Sequence, residues 1–153
     1  MSETSIASYN VALSSNPSPQ VTLAGVFVVH QSLSRPVPHY KAQGPLQFRM
    51  GVNKGNEQLA ENEHLVWLAV AAEYAQPDNA VVVRAEVKLE AIAVCVDLGA
   101  AELDYQLTRV LPGRLFAHAR VQIEALTRDS GYAAITLPPV PLDPAETQQG
   151  AAQ

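Results

Sequence analysis

The sequence predicts an α+β domain: a four-stranded antiparallel sheet followed by two helices on one face. Three observations carry this. From Leu46 to Leu89 apolar residues recur at every second position in two separate stretches. From Leu103 onward they recur every third or fourth position. The period changes once, so strands and helices are segregated along the chain, not alternated. A length of 153 residues with 48% hydrophobic residues fits one domain with a real core and excludes wholesale disorder.

Residues 1–19 read as a flexible N-terminal arm, because Ser14-Ser15-Asn16-Pro17-Ser18-Pro19 is a loop by composition. The domain proper spans 20–143. Val21, Leu23, Phe27, Val29 and Leu33 favour a first strand, with Gly25 as a candidate bulge. Pro36, Pro38 and Pro45 remove backbone donors, so the next connection is extended. Leu46, Phe48, Met50 and Val52 alternate with polar or small residues, the signature of a strand with one apolar face. Leu65 to Tyr74 is apolar at both parities, as expected for a strand covered on both sides. Gln76-Pro77-Asp78-Asn79 is a turn, and Val81 to Leu89 alternates again with Arg84, Glu86 and Lys88 on the other face. So short a turn makes the third and fourth strands a hairpin. A short helix over about 100–110 and a longer one over about 112–129 follow, separated at Pro112-Gly113. Ser130-Gly131 ends the second. The proline-rich stretch after it is extended, and 144–153 reads as a disordered tail.

A net charge of −5 repels phosphate backbones and anionic membrane faces, which argues against nucleic-acid partners. No secretory signal opens the chain, and Leu65–Ala72 is about half the length a membrane helix needs, so a soluble cytoplasmic protein without membrane insertion is expected. The single cysteine, Cys95, reads as a small buried hydrophobe. His30, His39, His64 and His118 are scattered without metal-ligand spacing. No nucleophile elbow, phosphate-cradling loop or dinucleotide fingerprint is present. Asp97, Glu102 and Asp104 suit the positive end of a helix better than acid–base work. The sequence therefore points to no catalytic residues, no metal and no cofactor. What it offers is apolar surface in excess of what two helices on one face can cover, and such surface implies a partner.

Three segments carry a family resemblance. Leu111-Pro112-Gly113-Arg114-Leu115-Phe116-Ala117-His118-Ala119-Arg120 resembles the proline-then-Leu-Phe-x-x-Ala-Arg helix of the SecB export chaperones. Ile135-Thr136-Leu137-Pro138-Pro139-Val140-Pro141-Leu142-Asp143 resembles the Leu-x-Leu-x-Pro-Val-x-Phe-Asp segment that follows it there. Gln58-Leu59-Ala60-Glu61-Asn62 is similar to that family's turn between strands two and three.

The resemblance implies a dimer of dimers, hence a homotetramer. It also implies an ATP-independent holdase that takes unfolded polypeptide into apolar grooves. By position, Phe48, Met50 and Val52 match the strand-two residues that line the client groove, with ordinary core as the competing role. Val37 and Tyr40 fall in the crossover that walls it. Leu115 and Phe116, with Ala119 and Ile123 on the same stripe, fall on the helix shared between groove and oligomer packing. The sequence departs from the family at the surface that docks the SecA motor: His30 and Ser34 stand at acidic positions of the first strand, and only Asp78 remains of the acids at the third turn. Docking of SecA is thus in doubt. A client that is an exported preprotein and a client that is the antitoxin of a toxin–antitoxin system both stay open. So does a non-chaperone adaptor or structural oligomer. An enzyme built on Cys95 and a histidine is the remaining reading, and it requires a depressed thiol pKa.

Overall fold

The computed structural model describes residues 20–139. The expected arm (1–19) and tail (144–153) lie outside the described residues. Four strands form one antiparallel sheet in the order β1-β4-β3-β2: β1 (Gln20–Ser34), β2 (Gln47–Ala60), β3 (Glu63–Ala75) and β4 (Val81–Val96). The two most apolar strands, β3 and β4, take the centre, and β1 and β2 are the edges. Register shifts at Leu23/Gly25 and Val28/His30 put irregularities in β1, one of them at the glycine expected to bulge.

The β3–β4 turn closes through the Asn79 N–H to the Gln76 carbonyl (2.8 Å) and the Gln76 N–H to the Ala80 carbonyl (2.9 Å). Asn79 sits at φ 70°, a left-handed position that asparagine tolerates better than most residues. The Asp78 carboxylate accepts the Ala80 N–H at 2.9 Å, and this bond holds its pKa below the ordinary carboxylate value. The proline-bearing connection between β1 and β2 is extended apart from one 3₁₀ turn, His39–Lys41.

The helical region is one run, not two. It consists of α1 (Ala100–Tyr105), a π turn (Gln106–Val110) and α2 (Leu111–Thr127), with right-handed helical backbone at both junctions. The break expected at Pro112-Gly113 is absent. Proline lacks an N–H and its ring crowds the carbonyl four residues back, here that of Thr108. The π turn resolves the conflict: the Leu111 N–H reaches the Gln106 carbonyl, five residues back. The Thr108 carbonyl is taken by the Lys54 ammonium of β2.

Leu111, Leu115, Phe116, Ala119 and Ile123 pack onto the face of the sheet formed by Val66, Leu68, Val70, Ala85, Val87, Leu89 and Ala91. Fully burying such side chains stabilises by roughly 1.5–3 kcal/mol each. Past the helix, the chain turns back along α2. The Ile135 N–H donates to Thr127 Oγ1 (2.8 Å), Arg120 Nε donates to the Leu137 carbonyl (2.9 Å), and Ile135 and Leu137 are buried.

Among the described residues, β3 is covered on one side only. Its Leu65, Trp67, Ala69 and Ala71 face away from the helices and are half-buried by their neighbours. Small side chains and an indole lying over Gly55 produce the two-sided apolar pattern without a second layer.

Candidate functional site

The period of two along β2 sends Phe48, Met50, Val52 and Lys54 to the helix side of the sheet, opposite Tyr74, Ala72, Val70 and Leu68 of β3. β2 is an edge, and α2 lies mainly over β3 and β4. The three apolar side chains are therefore half-buried against the core, forming a shelf beside the helix. Phe48 meets the Tyr74 ring edge-on at 6.3 Å between centroids. Burial raises the Tyr74 hydroxyl pKa above its ordinary value. The Lys54 ammonium bonded to Thr108 closes the far end of the shelf.

The crossover borders the near end. Val37 belongs to a second apolar cluster with Val82, Val83, Tyr132, Leu46 and Tyr74, and Tyr74 links that cluster to Phe48. Two bonds tie the crossover to the stretch after α2: Tyr132 Oη donates to the Val37 carbonyl (2.6 Å), and Arg35 Nη1 donates to the Ser130 carbonyl (2.9 Å). Tyr40 stands 74% exposed, packed edge-on to His39. The structure thus places Phe48, Met50 and Val52 in one row and Val37 in the wall next to it, while Tyr40 projects outward.

Leu115, Phe116, Ala119 and Ile123 are all buried against the protomer's own sheet. They hold α2 down on the sheet. The outward face of α2 carries Val121, 65% exposed.

His30 and Ser34 lie on the open face of the sheet, paired with Lys88 and Arg84 of β4. That face holds a shallow depression of about 430 Å³ floored by Gly51, Ala69 and Ala71 and edged by His30, Arg84, Glu86 and Lys88. Beside it the nearly buried Glu73 carboxylate bridges Arg49 (2.8 Å) and Arg84 (2.5 Å), fixing β2, β3 and β4 together. The cations here answer the acids. Asp78 Oδ1 accepts from the Ala80 N–H and the Gln76 amide in shaping its turn.

Cys95 is buried and its thiol pKa is pushed up by that burial, the opposite of an activated nucleophile. No cluster of metal-ligating side chains occurs among the described residues. No helix among them is long and apolar enough to cross a membrane.

Sequence reasoning missed one surface. Phe27, Val28, Val29 and Leu33 of edge strand β1 are all exposed, Phe27 at 58%. The run Val26-Phe27-Val28-Val29 was visible, but nothing in it distinguished an edge strand from a central one.

Among solved structures, the SecB-like chaperone of Mycobacterium tuberculosis, in complex with a ChAD peptide from the HigA1 antitoxin, superposes with a TM-score of 0.63 at 12% identity, over 78% of this chain and 89% of that one. A protein of unknown function from Streptococcus agalactiae aligns over 80% of this chain and 99% of that one at 10% identity, with a TM-score of 0.38. No curated protein matches. The family described as preprotein translocase subunit SecB matches residues 14–152, nearly the whole sequence, and the chain belongs to the SecB family.

Proposed function

We propose that this protein is an ATP-independent holdase, acting in the cytoplasm as a homotetramer that binds unfolded polypeptide on the apolar shelf of β2. The observation that carries the reading is the row Phe48–Met50–Val52, half-buried on a strand that, among the described residues, is an edge the helix leaves uncovered. An extended segment laid there gains about 25 cal/mol for each Å² of apolar area removed from water. Met50 adapts to varied side chains because it is unbranched and polarizable. Family membership supports chaperone work in general. The exposed apolar edge of β1 supports assembly, since a long unpaired strand of this kind invites pairing.

A client dedicated to this chaperone is favoured over hand-off to the SecA motor. The open face presents His30, Ser34 and a balanced set of charges, not an acidic surface. The mycobacterial neighbour, bound to an antitoxin peptide, sets the precedent for the fold.

The test is a Phe48→Ser/Met50→Ser variant in a client-aggregation assay followed by light scattering. Suppression of aggregation is lost while the oligomer mass is unchanged. Undiminished suppression by a folded double variant refutes the shelf as the client site. For the motor, calorimetric titration with SecA gives no measurable binding, and a sub-micromolar affinity overturns the dedicated-client reading.

A further inference from the structure

We propose that Lys54 is an end stop that limits the length of client segment the shelf can hold, an inference that rests on the holdase reading above. Along the helix side of β2 the residues run Phe48, Met50, Val52, Lys54. The first three are apolar. The fourth crosses to the helix and donates to the Thr108 carbonyl. That carbonyl is available because residue 112 is a proline and cannot donate to it. The π turn around Thr108 is also where the helical run approaches β2.

The bridge therefore joins the two walls of the shelf at one point. A polypeptide lying parallel to β2 meets it head-on. From Phe48 to Lys54 the strand rises about 20 Å, which accommodates an extended segment of about six residues. Beyond the bridge the same face continues with Asn56 and Gln58, both exposed and polar. The substrate class this defines is a short apolar stretch in extended conformation, about three inward-pointing side chains long, with polar sequence beyond it. An ammonium hydrogen-bonded to a neutral carbonyl is a firm stop, since displacing it leaves a partly buried carbonyl without its donor.

The experiment measures affinity of the full-length chain, by fluorescence anisotropy, for labelled peptides of four, six, eight and ten residues that alternate leucine and serine between Gly-Ser flanks. With the native chain, affinity rises to six residues and then levels off. In Lys54→Met, which removes the donor and adds an apolar side chain, the plateau moves to eight residues, with a roughly three- to tenfold gain for the eight-residue peptide. Lys54→Arg keeps a donor and restores the six-residue plateau. Asn56→Leu, which extends the apolar row while leaving the bridge in place, keeps the plateau at six. Thermal melts confirm that each variant is folded. A plateau at six in Lys54→Met, one that moves in Asn56→Leu, or a native chain that keeps gaining affinity to ten residues overturns the end stop while leaving the holdase reading in place. Failure of every peptide length to bind the native chain overturns both.

Discussion

The two edges of the sheet are built by opposite rules. β1 exposes Phe27, Val28, Val29 and Leu33 and carries no Lys, Arg, Asp or Glu over its length. β2 carries Arg49, Lys54 and Glu57, has glycines at 51 and 55, keeps Phe48, Met50 and Val52 half-buried, and exposes one large apolar residue, Leu59, near its end. Charged, glycine-interrupted edges resist permanent pairing, and long apolar ones invite it. On the proposed reading the difference is a division of labour: β1 suits a lasting partner, and β2 suits one that arrives, lies along the shelf and leaves.

The strongest way to break that comparison is to make β1 resemble β2. Val28→Lys with Leu33→Lys is expected to at least halve the mass seen by light scattering; an unchanged mass removes β1 from assembly. Next in size is the converse change at β2. Phe48→Ser/Met50→Ser removes two side chains worth roughly 1.5–3 kcal/mol each when fully buried, so client affinity drops tenfold or more while the mass stays constant. Leu115→Ala acts on both edges by loosening the helix between them. A cavity at a fully buried leucine costs about 2–5 kcal/mol, read as a lower melting temperature.

A smaller effect is the response to alkaline pH. Burial raises the pKa of Cys95 above 9.0 and those of Tyr74 and Tyr132 above 10.0. All three are neutral when protonated, so the folded state resists their ionisation. Their contribution is complete below about pH 9 and is lost as pH climbs through the raised values. The melting temperature is therefore flat to about pH 9 and falls above it. Tyr132→Phe, which removes the bond to Val37, blunts the steepness of that fall, and an identical profile in the variant dismisses the contribution of this tyrosine.

Much of the architecture is legible because β4 alternates apolar and charged residues from Val81 to Glu90 and β3 is apolar almost throughout. The ends are not. The apolar alternation of β2 stops at Val52, yet the strand runs to Ala60, held by pairing with β3 while polar Lys54, Asn56 and Gln58 occupy the helix side. In β4, Ile92, Val94 and Val96 are as apolar as Ala91, Ala93 and Cys95, which erases the period although the strand continues. A local rule makes Pro112 a helix break and cannot anticipate a π turn relieved by a lysine far away in sequence. At the candidate site, Phe48, Met50 and Val52 were recoverable as one row. Lys54 was not, since its role depends on a carbonyl exposed by a proline 58 positions later.

The indole that lies over Gly55 belongs to the only tryptophan in the chain. Lys88 holds its ammonium 5.2 Å from the same ring. An intrinsic optical probe is thus seated on β3 against the β2 edge, on the side of the sheet away from the shelf. Quenching or a spectral shift on client addition would register movement of this strand pair in the unlabelled protein, without a reporter occupying the binding surface itself.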